Sequence, residues 1–429
     1  MPSPDRRPSL PVLDTAPPPV RGFDRRRDRR IAFAGLALAV AFLVGSLAAL
    51  GVLADGALAI WLPLHLALAG AAGTAVAAML PFFVAALSVA PPAPAPLRAA
   101  SIGLVAGGVL VAGLGRGLGS GPGWLAATGA MLYVTGIGAV FVSAVMPLRR
   151  ATGPRRPASV AAYAVGLIDV AIGVSLAAIF LAGGADAAAR WASLKPAHAW
   201  LNLFGFLPLV IGGTLLHFAP TVAGSRIRRR PVGVFSAAAL GVAAPLAAAG
   251  FAIGSDALAV IGAGLSIAGA AALTAHGWQA HRARAAWSTE QDWHRYTAVS
   301  LLAAPAWLLV ATLVAGAEVL RGGAGPGGWV LTPLLGPMVA GFVVQVLLGA
   351  LSFLVPAVSR TTPGRHAAMR HSLGRQATLR LVAWNGGVTV LSLGLGLDAW
   401  VIAAAGVAAL VTTIGATVIL LGLSLLEAR

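Results

Sequence analysis

The sequence predicts an all-α integral membrane protein with about twelve transmembrane helices. Hydrophobic residues make up 58% of its 429 residues, charged residues only 10%, and the mean hydropathy is +0.87. A soluble chain needs more polar residues than this to cover its surface in water. The hydrophobic residues fall in runs of about twenty, the length of a helix that crosses the roughly 30 Å hydrocarbon core of a bilayer. We therefore expect a lipid bilayer as the protein's surroundings.

A short motif recurs inside these apolar runs. It reads GTLLHFAP at 213–220 and GALSFLVP at 349–356, with a weaker copy, GTAVAAMLP, at 73–81. The copies start 140 and 136 residues apart, which is room for about four membrane helices and their loops. The sequence therefore predicts one membrane domain over 31–426, built from three four-helix pseudo-repeats at roughly 31–147, 158–275 and 297–426.

Taken in order, the chain begins with residues 1–30, which are rich in Pro and Arg and contain no apolar run. This composition predicts a disordered basic cytoplasmic tail. The apolar run that follows is of full spanning length and lacks a convincing cleavage site, unlike a signal peptide. The predicted spans are the successive apolar runs, at about 31–54, 58–90, 99–117, 123–147, 158–183, 197–223, 233–254, 256–275, 297–320, 329–358, 378–397 and 399–426.

The basic residues predict the orientation of these spans. The formal net charge is +17, and the arginines stand in short clusters between apolar runs. With twelve spans, every cluster falls on the same side of the membrane, so the positive-inside rule places both termini in the cytoplasm. We interpret the charge as a topology signal and expect no nucleic-acid partner. The clusters lie at 25–30, 149–156, 226–230, 282–295 and 360–380.

The lack of cysteine limits the chemistry. It excludes disulfides, thiolate metal sites, cysteine-ligated iron–sulfur clusters and covalent CxxCH haem attachment. Any metal must be held by histidine, methionine, carboxylate or backbone groups. No GxSxG, HExxH, Walker or strand-linked GxGxxG motif is present, which argues against the hydrolase and nucleotide-binding classes that those motifs mark.

Two histidines stand near the outer ends of equivalent predicted helices. His65 lies within about two turns of the outer surface in the second span, because each residue advances about 1.5 Å. His198 opens the sixth span from the same side, and Asn202 forms a polar ledge one turn below it. Both histidines are candidate metal ligands; the alternatives are a hydrogen bond to a neighbouring carbonyl for His65 and simple interfacial solvation for His198. His217 lies about 28 Å further along the sixth helix, too far to share a metal with His198.

Two further polar residues lie within predicted spans. Asp169 sits near the middle of the fifth span, where an ionisable residue is costly and often functional. It fits either a proton path or a structural hydrogen bond. Gln345 lies between Gly341 and Gly349 at four-residue spacing in the tenth span. That face would suit a planar cofactor or a neighbouring helix.

The remaining histidines and the tryptophans receive ordinary interpretations. We expect solvated histidines in basic cytoplasmic loops at His276, His281, His294, His366 and His371. We expect an aromatic belt at the outer interface, formed by Trp61, Trp124, Trp191, Trp329 and Trp400.

The repeat and the histidine positions resemble those of the catalytic subunit of haem-copper oxidases and of the haem- and copper-binding NnrS-like proteins. The stretches HAWLNLFGFLPLVIGGTLLHFAPT (198–221) and GFVVQVLLGALSFLVPAV (341–358) are similar to the membrane domain fused to cupredoxin domains in actinobacterial copper nitrite reductases and multicopper oxidases. The resemblance implies a bacterial cytoplasmic membrane protein with haem or copper near the outer face at His65 and His198, and with Asn202 and Gln345 against the cofactor.

The resemblance also implies partners and has clear limits. It implies electron transfer between the quinone pool and an external cupredoxin-type copper protein, in nitrogen-oxide or oxygen respiration. However, the seventh and tenth spans contain no histidine, so a complete oxidase centre is absent. A second axial haem ligand would have to be His198 or Met338, or be missing.

Three functions are therefore compatible with the sequence. The first is a redox membrane module with haem or copper. The second is a transporter or metal-handling permease, with Asp169, Asn202 and Gln345 lining a polar path. The third is a cofactor-free anchor or assembly factor of the same fold. Transporters usually show inverted repeats, whereas these repeats read as parallel, which favours the redox module.

Overall fold

The computed structural model describes residues 25–52, 60–117, 123–152, 157–183, 185–225, 231–285, 293–359 and 362–427. These residues form helices joined by short connections, with no β-strand among them, and eleven helices are long and apolar enough to cross a membrane. The prediction of an all-α, multi-pass membrane protein is confirmed. The helices are α1 (Arg25–Val52), α2 (Trp61–Ser88), α3 (Ala95–Gly117), α4 (Gly123–Leu148), α5 (Pro157–Ala182), α6 (185–222), α7 (Pro231–Ile253), α8 (Asp256–Arg282), α9 (Trp293–Gly322), α10 (Thr332–Val358), α11 (Pro363–Gly374), α12 (Ala377–Gly396) and α13 (Trp400–Glu427).

Each predicted span coincides with one helix to within a few residues at most ends. The short helix α11 was not predicted, and it lies in the basic stretch after α10. Helix α12 matches the predicted span 378–397 but is not among the eleven apolar helices. It carries Arg380 and Asn385, which lower its hydropathy, so the count of twelve stays a prediction.

The boundary of the predicted tail is wrong. Helix α1 begins at Arg25, so residues 25–30 are helical rather than disordered. An ion pair helps to explain the extension: Asp28 pairs with the guanidinium of Arg98 on α3, whose Nε also donates a 2.9 Å hydrogen bond to the carbonyl of Ala93. Residues 1–24 lie outside the described part of the chain.

Hydrogen bonds between connections show which helix ends meet on the arginine-rich side. Thr152 after α4 donates from its hydroxyl to the carbonyl of Val89 after α2, at 2.9 Å. Ala285 after α8 donates its N–H to the carbonyl of Ala223 after α6, at 3.0 Å. We call this the basic side. The rings of Phe83 and Phe218, near the ends of α2 and α6, lie 6.1 Å apart and join the two pairs. The even-numbered helices α2, α4, α6 and α8 therefore end on the same side, as the predicted alternation requires.

The opposite side of the bundle carries the two outer histidines, and we call it the histidine side. There the N–H of Ala324, after α9, donates to the carboxylate of Asp256 at the start of α8, at 2.6 Å. His65 lies on this side near the start of α2, and His198 lies in the outer half of α6.

Glycine gives the same close contact in three helix pairs. A Cβ added to Gly129 of α4, Gly262 of α8 or Gly406 of α13 would collide with the backbone of the preceding helix, α3, α7 or α12. Small residues that let helix backbones touch are the usual basis of helix packing in membranes. The contact recurs at the third and fourth helices of each predicted repeat.

Helices α2, α6 and α10 form the centre of the bundle. Their membrane-length stretches are 67%, 78% and 78% buried, against 33–44% for the other eight. Each contains a π-helical stretch, at Leu66–Ala72, Leu201–Phe206 and Leu335–Val344. Such stretches are rare and often occur at functional sites. The second helix of every predicted repeat therefore departs from α-helical geometry at a corresponding place, which the sequence did not show.

A glycine in each π stretch receives a side chain from a neighbouring helix. In α2 a Cβ on Gly70 would lie 2.8 Å from the ring of Phe42 on α1, and in α10 a Cβ on Gly341 would lie 2.5 Å from the ring of Trp307 on α9. Only a residue without a side chain fits there. We call each of these positions a glycine notch.

Candidate functional site

His65 and His198 both lie on the histidine side of the bundle. His65 lies one helical turn inside the start of α2 at Trp61, and its imidazole is within electrostatic range of that of His198. The prediction that His198 opens its helix is wrong, because α6 begins at Ala185. Counting about twenty residues back from the basic end of α6 still places His198 near the outer edge of the hydrocarbon core.

The hydrogen bonds of both imidazoles fix the same tautomer. Nδ1 of His65 lies 2.7 Å from the carbonyl oxygen of Trp61, and Nδ1 of His198 lies 2.7 Å from that of Gly173 on α5. A carbonyl only accepts, so each Nδ1 must carry the proton. The lone pair of the neutral ring is then on Nε2, which makes no hydrogen bond to any residue that the structure describes. A backbone carbonyl on one nitrogen and a free second nitrogen is the usual arrangement of a metal-binding histidine.

Two tryptophans flank the histidines. The indole of Trp61 stacks on His65, with ring centroids 4.2 Å apart and planes at 23°. The ring of Trp191 lies 6.0 Å from that of His198 and stacks on Phe180 at 4.3 Å. We predicted these tryptophans only as members of an interfacial belt. The sequence WLPLH puts Trp61 and His65 one turn apart, and this spacing was the available signal for their contact.

The expected belt holds only in part. Trp124 and Trp400, at the starts of α4 and α13, are 61% and 78% exposed. Trp329 is instead buried, with its ring 6.2 Å from that of Trp200. It therefore contributes to the core rather than to an exposed interface.

Asn202 lies directly below His198, as its position one turn away predicts. Its Nδ2 donates to the carbonyl of His198 at 2.6 Å and lies 3.4 Å from the Nδ1 of that residue. A Cβ on Gly173 would lie 2.5 Å from the same amide nitrogen, so the glycine makes room for Asn202. His198 and Asn202 thus both contact Gly173 at the α5–α6 interface.

Asp169 lies one turn further into the membrane on α5. Its side chain fills the glycine notch of α6, where a Cβ on Gly205 would lie 2.9 Å from the carboxyl carbon. Asp169 is 2% exposed, and its Oδ2 has no hydrogen-bond partner. The structural hydrogen bond that we considered for this residue is not observed at Oδ2.

Gln345 belongs to a different part of the bundle. It is buried, and its Nε2 lies 3.4 Å from Oδ1 of Asn385 on α12. The same oxygen accepts a 2.8 Å hydrogen bond from the indole of Trp307. The flanking Gly341 and Gly349 both face α9, so the close approach that we predicted is made by a neighbouring helix. The contacts of Gln345 do not connect it to the histidine pair.

The other histidines that were expected in loops lie in helices. His281 lies in the last turn of α8, His294 at the start of α9, and His366 and His371 in α11. His276, predicted in a loop, is 3% exposed within α8 and packs against Gly233 of α7. The predicted eighth span ends at 275, whereas α8 continues to Arg282. His217 lies on the basic side of α6, with its Nε2 2.8 Å from the hydroxyl of Ser159.

The ligand atoms fit a metal ion better than a porphyrin. Two free Nε2 atoms from neighbouring helices suit copper, for which imidazole is a good ligand. No cluster of three or more His, Cys, Asp or Glu side chains occurs among the described residues, so further ligands must come from elsewhere. A haem also needs a wide planar cavity. Two cavities between the helices, one of them about 10 Å³ or roughly one water, are lined by other residues and include neither His65 nor His198.

Comparison of the sequence with known protein families and with characterised proteins yields no match.

Proposed function

We propose that the protein is a membrane redox module that holds a copper ion between His65 and His198 near the outer face. The observation that supports this most directly is the matched pair of imidazoles. Each has its Nδ1–H bonded to a backbone carbonyl and its Nε2 free, and the two rings lie within electrostatic range. A bound copper ion would supply one-electron redox chemistry, and the chain's own residues orient the ligands around it.

The proposed architecture is a twelve-helix bundle of three parallel four-helix repeats, with α12 as the eleventh crossing and both termini in the cytoplasm. The π stretches of α2, α6 and α10 and the glycine contacts of α4, α8 and α13 recur in the equivalent helices of the three repeats. This recurrence supports the resemblance to haem-copper oxidases and NnrS-like proteins. The resemblance in turn implies a location in the bacterial cytoplasmic membrane.

An external cupredoxin-type copper protein is the proposed redox partner, with the quinone pool on the other side of the exchange. The histidine pair lies at the outer end of the bundle, where such a protein could approach. Because the described residues offer two imidazoles at this site, water or a side chain of the partner would complete the coordination. The proposed process is nitrogen-oxide or oxygen respiration.

Copper titration of the purified protein tests this proposal. We expect about one copper ion per chain, with a visible or paramagnetic signal that changes on reduction. Loss of either imidazole, in His65→Ala or His198→Ala, should weaken binding at least about tenfold, or about 1.4 kcal/mol. His371→Ala, at an exposed position of α11, is the matched control and should bind like the wild type.

Other outcomes of the titration are also decisive. A haem Soret band that disappears in His65→Ala would identify the cofactor as haem rather than copper. A wild-type protein that binds neither, after expression with adequate copper and haem, would contradict the redox proposal and leave a cofactor-free anchor or assembly factor.

A metal-handling permease is the second candidate, and one observation favours it. His198, Asn202 and Asp169 form a polar stripe that runs inward from the outer face along α5 and α6. Interrupted helices and polar sites deep in the membrane are typical of transporters. Copper flux into proteoliposomes, without a change in copper oxidation state, would favour the permease over the redox module.

A further inference from the structure

The second glycine notch differs from the other two in what fills it. Aromatic rings, those of Phe42 and Trp307, fill the notches of α2 and α10. The notch of α6 instead receives the carboxyl of Asp169. The notch of α6 is thus filled by a polar group, whereas those of α2 and α10 are filled by apolar rings.

The surroundings of Asp169 keep it in the neutral acid form. An unpaired carboxylate costs several kcal/mol in an apolar interior. Asp169 has no charged group within electrostatic range among the described residues. It is also 2% exposed, and its Oδ2 lacks a hydrogen bond. These surroundings favour the neutral acid over the carboxylate.

The ionisable groups on the neighbouring helices are few. Helix α7 contains none, and α4 contributes Tyr133, which packs against Gly73 of α2. On α6, Arg190 and Lys195 are exposed at the outer end, and His217 is bonded to Ser159 at the basic end. On α5 itself, Tyr163 bonds to Thr214. Of the ionisable groups in this region, His198 is the one joined to Asp169 by a continuous line of contacts.

That line of contacts runs through the α5–α6 interface. Asp169 and Gly173 lie one turn apart on α5, and Gly173 contacts both Asn202 and His198. Asn202 donates to the carbonyl of His198. An amide and an imidazole thus separate the buried carboxyl from the outer face, and both can hydrogen-bond to an inserted water.

We propose that Asp169 is a proton-binding site coupled to cation binding at the outer histidine pair. When a copper ion binds between His65 and His198, the O–H bond of the Asp169 carboxylic acid breaks. Its proton leaves to water on the outer side past Asn202, and the carboxylate that remains offsets the charge of the ion. The step moves one proton and no electrons. This inference rests on the proposed copper site.

Counting protons during copper binding tests the inference. In weakly buffered solution at pH 6.5, the wild type should release up to one proton more per copper ion than Asp169→Asn. Copper affinity should rise more steeply with pH in the wild type. At pH values where the Asp169 carboxylate forms in the wild type, Asp169→Asn should bind copper roughly tenfold more weakly than the wild type. The variant lacks one negative charge in a medium of low dielectric constant. The two histidines contribute equally to the proton release of the wild type and of Asp169→Asn.

Infrared spectroscopy supplies a readout that does not need copper. The carbonyl band of a protonated carboxyl should be present in the metal-free wild type, absent in Asp169→Asn, and lost from the wild type when copper is added. Asp398→Asn is the control. It removes an exposed carboxyl at a position with φ of 52°, where asparagine is well tolerated, and should change neither measurement.

Each outcome is decisive. Copper binding with equal proton release and no change of the band would overturn the role of Asp169 and leave the copper site standing. Failure of the wild type to bind copper would overturn the proposed function and this inference together. If Asp169→Asn does not fold, Asp169→Glu takes its place. The proposal then requires that the carboxyl band be present in copper-free Asp169→Glu and be lost from the wild type when copper is added.

Discussion

At the scale of single residues, the amide of Asn385 links three helices of the third repeat. Its Oδ1 accepts from the indole of Trp307 on α9 at 2.8 Å and lies 3.4 Å from Nε2 of Gln345 on α10. Its own Nδ2 donates to the carbonyl of Leu381 within α12. Because water is scarce in this interior, the two donors have few other partners.

Replacing Asn385 by leucine should therefore destabilise the bundle. The change leaves the donors of Trp307 and Gln345 without their acceptor, at a cost of about 1–3 kcal/mol. Thermal unfolding in one detergent would show this as a lower midpoint. Thr389→Val is the control, since Thr389 lies one turn away, is exposed, and bonds only to the carbonyl of Asn385. Equal midpoints for the two variants would mean that the buried amide contributes little.

The polar residues of the candidate site could be selected from sequence because they are rare in apolar runs. His65, His198, Asn202 and Asp169 stand out in this way, and their depth follows from the helical rise. Their contacts did not follow, because a contact depends on how each helix is rotated. Gln345 shows the difference. It was selected on the same grounds as the others, yet it faces Asn385 rather than the histidine pair.

At the scale of helices, the π stretches set the rotation of α2, α6 and α10. A π turn takes more residues than an α turn, so the residues before it are rotated relative to those after it. His65 and His198 both precede a π stretch. Apolar periodicity does not distinguish π from α turns in a helix buried on most sides. The sequence could therefore predict these helices but not the faces that their ends present.

The length of α6 also escaped prediction, for a different reason. Residues 185–196 include Asp186, Arg190 and Lys195, so the apolar run begins only near 197. The helix nevertheless extends back to Ala185. A helix that leaves the hydrocarbon core keeps its backbone hydrogen bonds while its side chains become polar. Hydropathy thus identified the part of α6 that crosses the membrane rather than the full length of the helix.

The glycine notch of α10 gives a prediction at this scale. In Gly341→Ala the new Cβ would lie 2.5 Å from Cγ of Trp307, so either the indole or the helix must shift. Overpacking of this kind costs about 1–3 kcal/mol, and the thermal unfolding midpoint should fall. Gly264→Ala is the control, because a Cβ at Gly264 of α8 meets nothing within 4 Å. Removing that glycine should leave stability unchanged or raise it by up to about 1 kcal/mol.

At the scale of the whole molecule, the arginine clusters and the loop contacts lead to the same two-sided arrangement. The clusters were assigned to one side only by counting spans. Contacts such as Thr152 with Val89 and Ala285 with Ala223 bring the ends of α2, α4, α6 and α8 together without any such count. The cluster at 226–230 lies outside the described residues. The positive-inside rule assigns the arginine-rich side to the cytoplasm, and this assignment and the crossing of α12 can be tested together.

Because the chain has no cysteine, labelling of single cysteines can settle both points. We choose three exposed positions: Lys195 on the outer end of α6, Arg375 before α12, and Leu397 after it. A membrane-impermeant maleimide added to intact cells should label Lys195→Cys and Leu397→Cys. Arg375→Cys should react only after the membrane is opened, because the basic side is expected to face the cytoplasm.

The three labels together separate the possible errors. If all three patterns are inverted, the orientation is wrong and the fold is unaffected. If Arg375→Cys and Leu397→Cys label from the same side, α12 does not cross. That result would contradict the packing of α12 against α13, where Arg380 near the start of α12 donates to Thr417 near the end of α13 at 3.4 Å. Because α12 packs antiparallel to the membrane-length helix α13, we expect Arg375 and Leu397 on opposite sides.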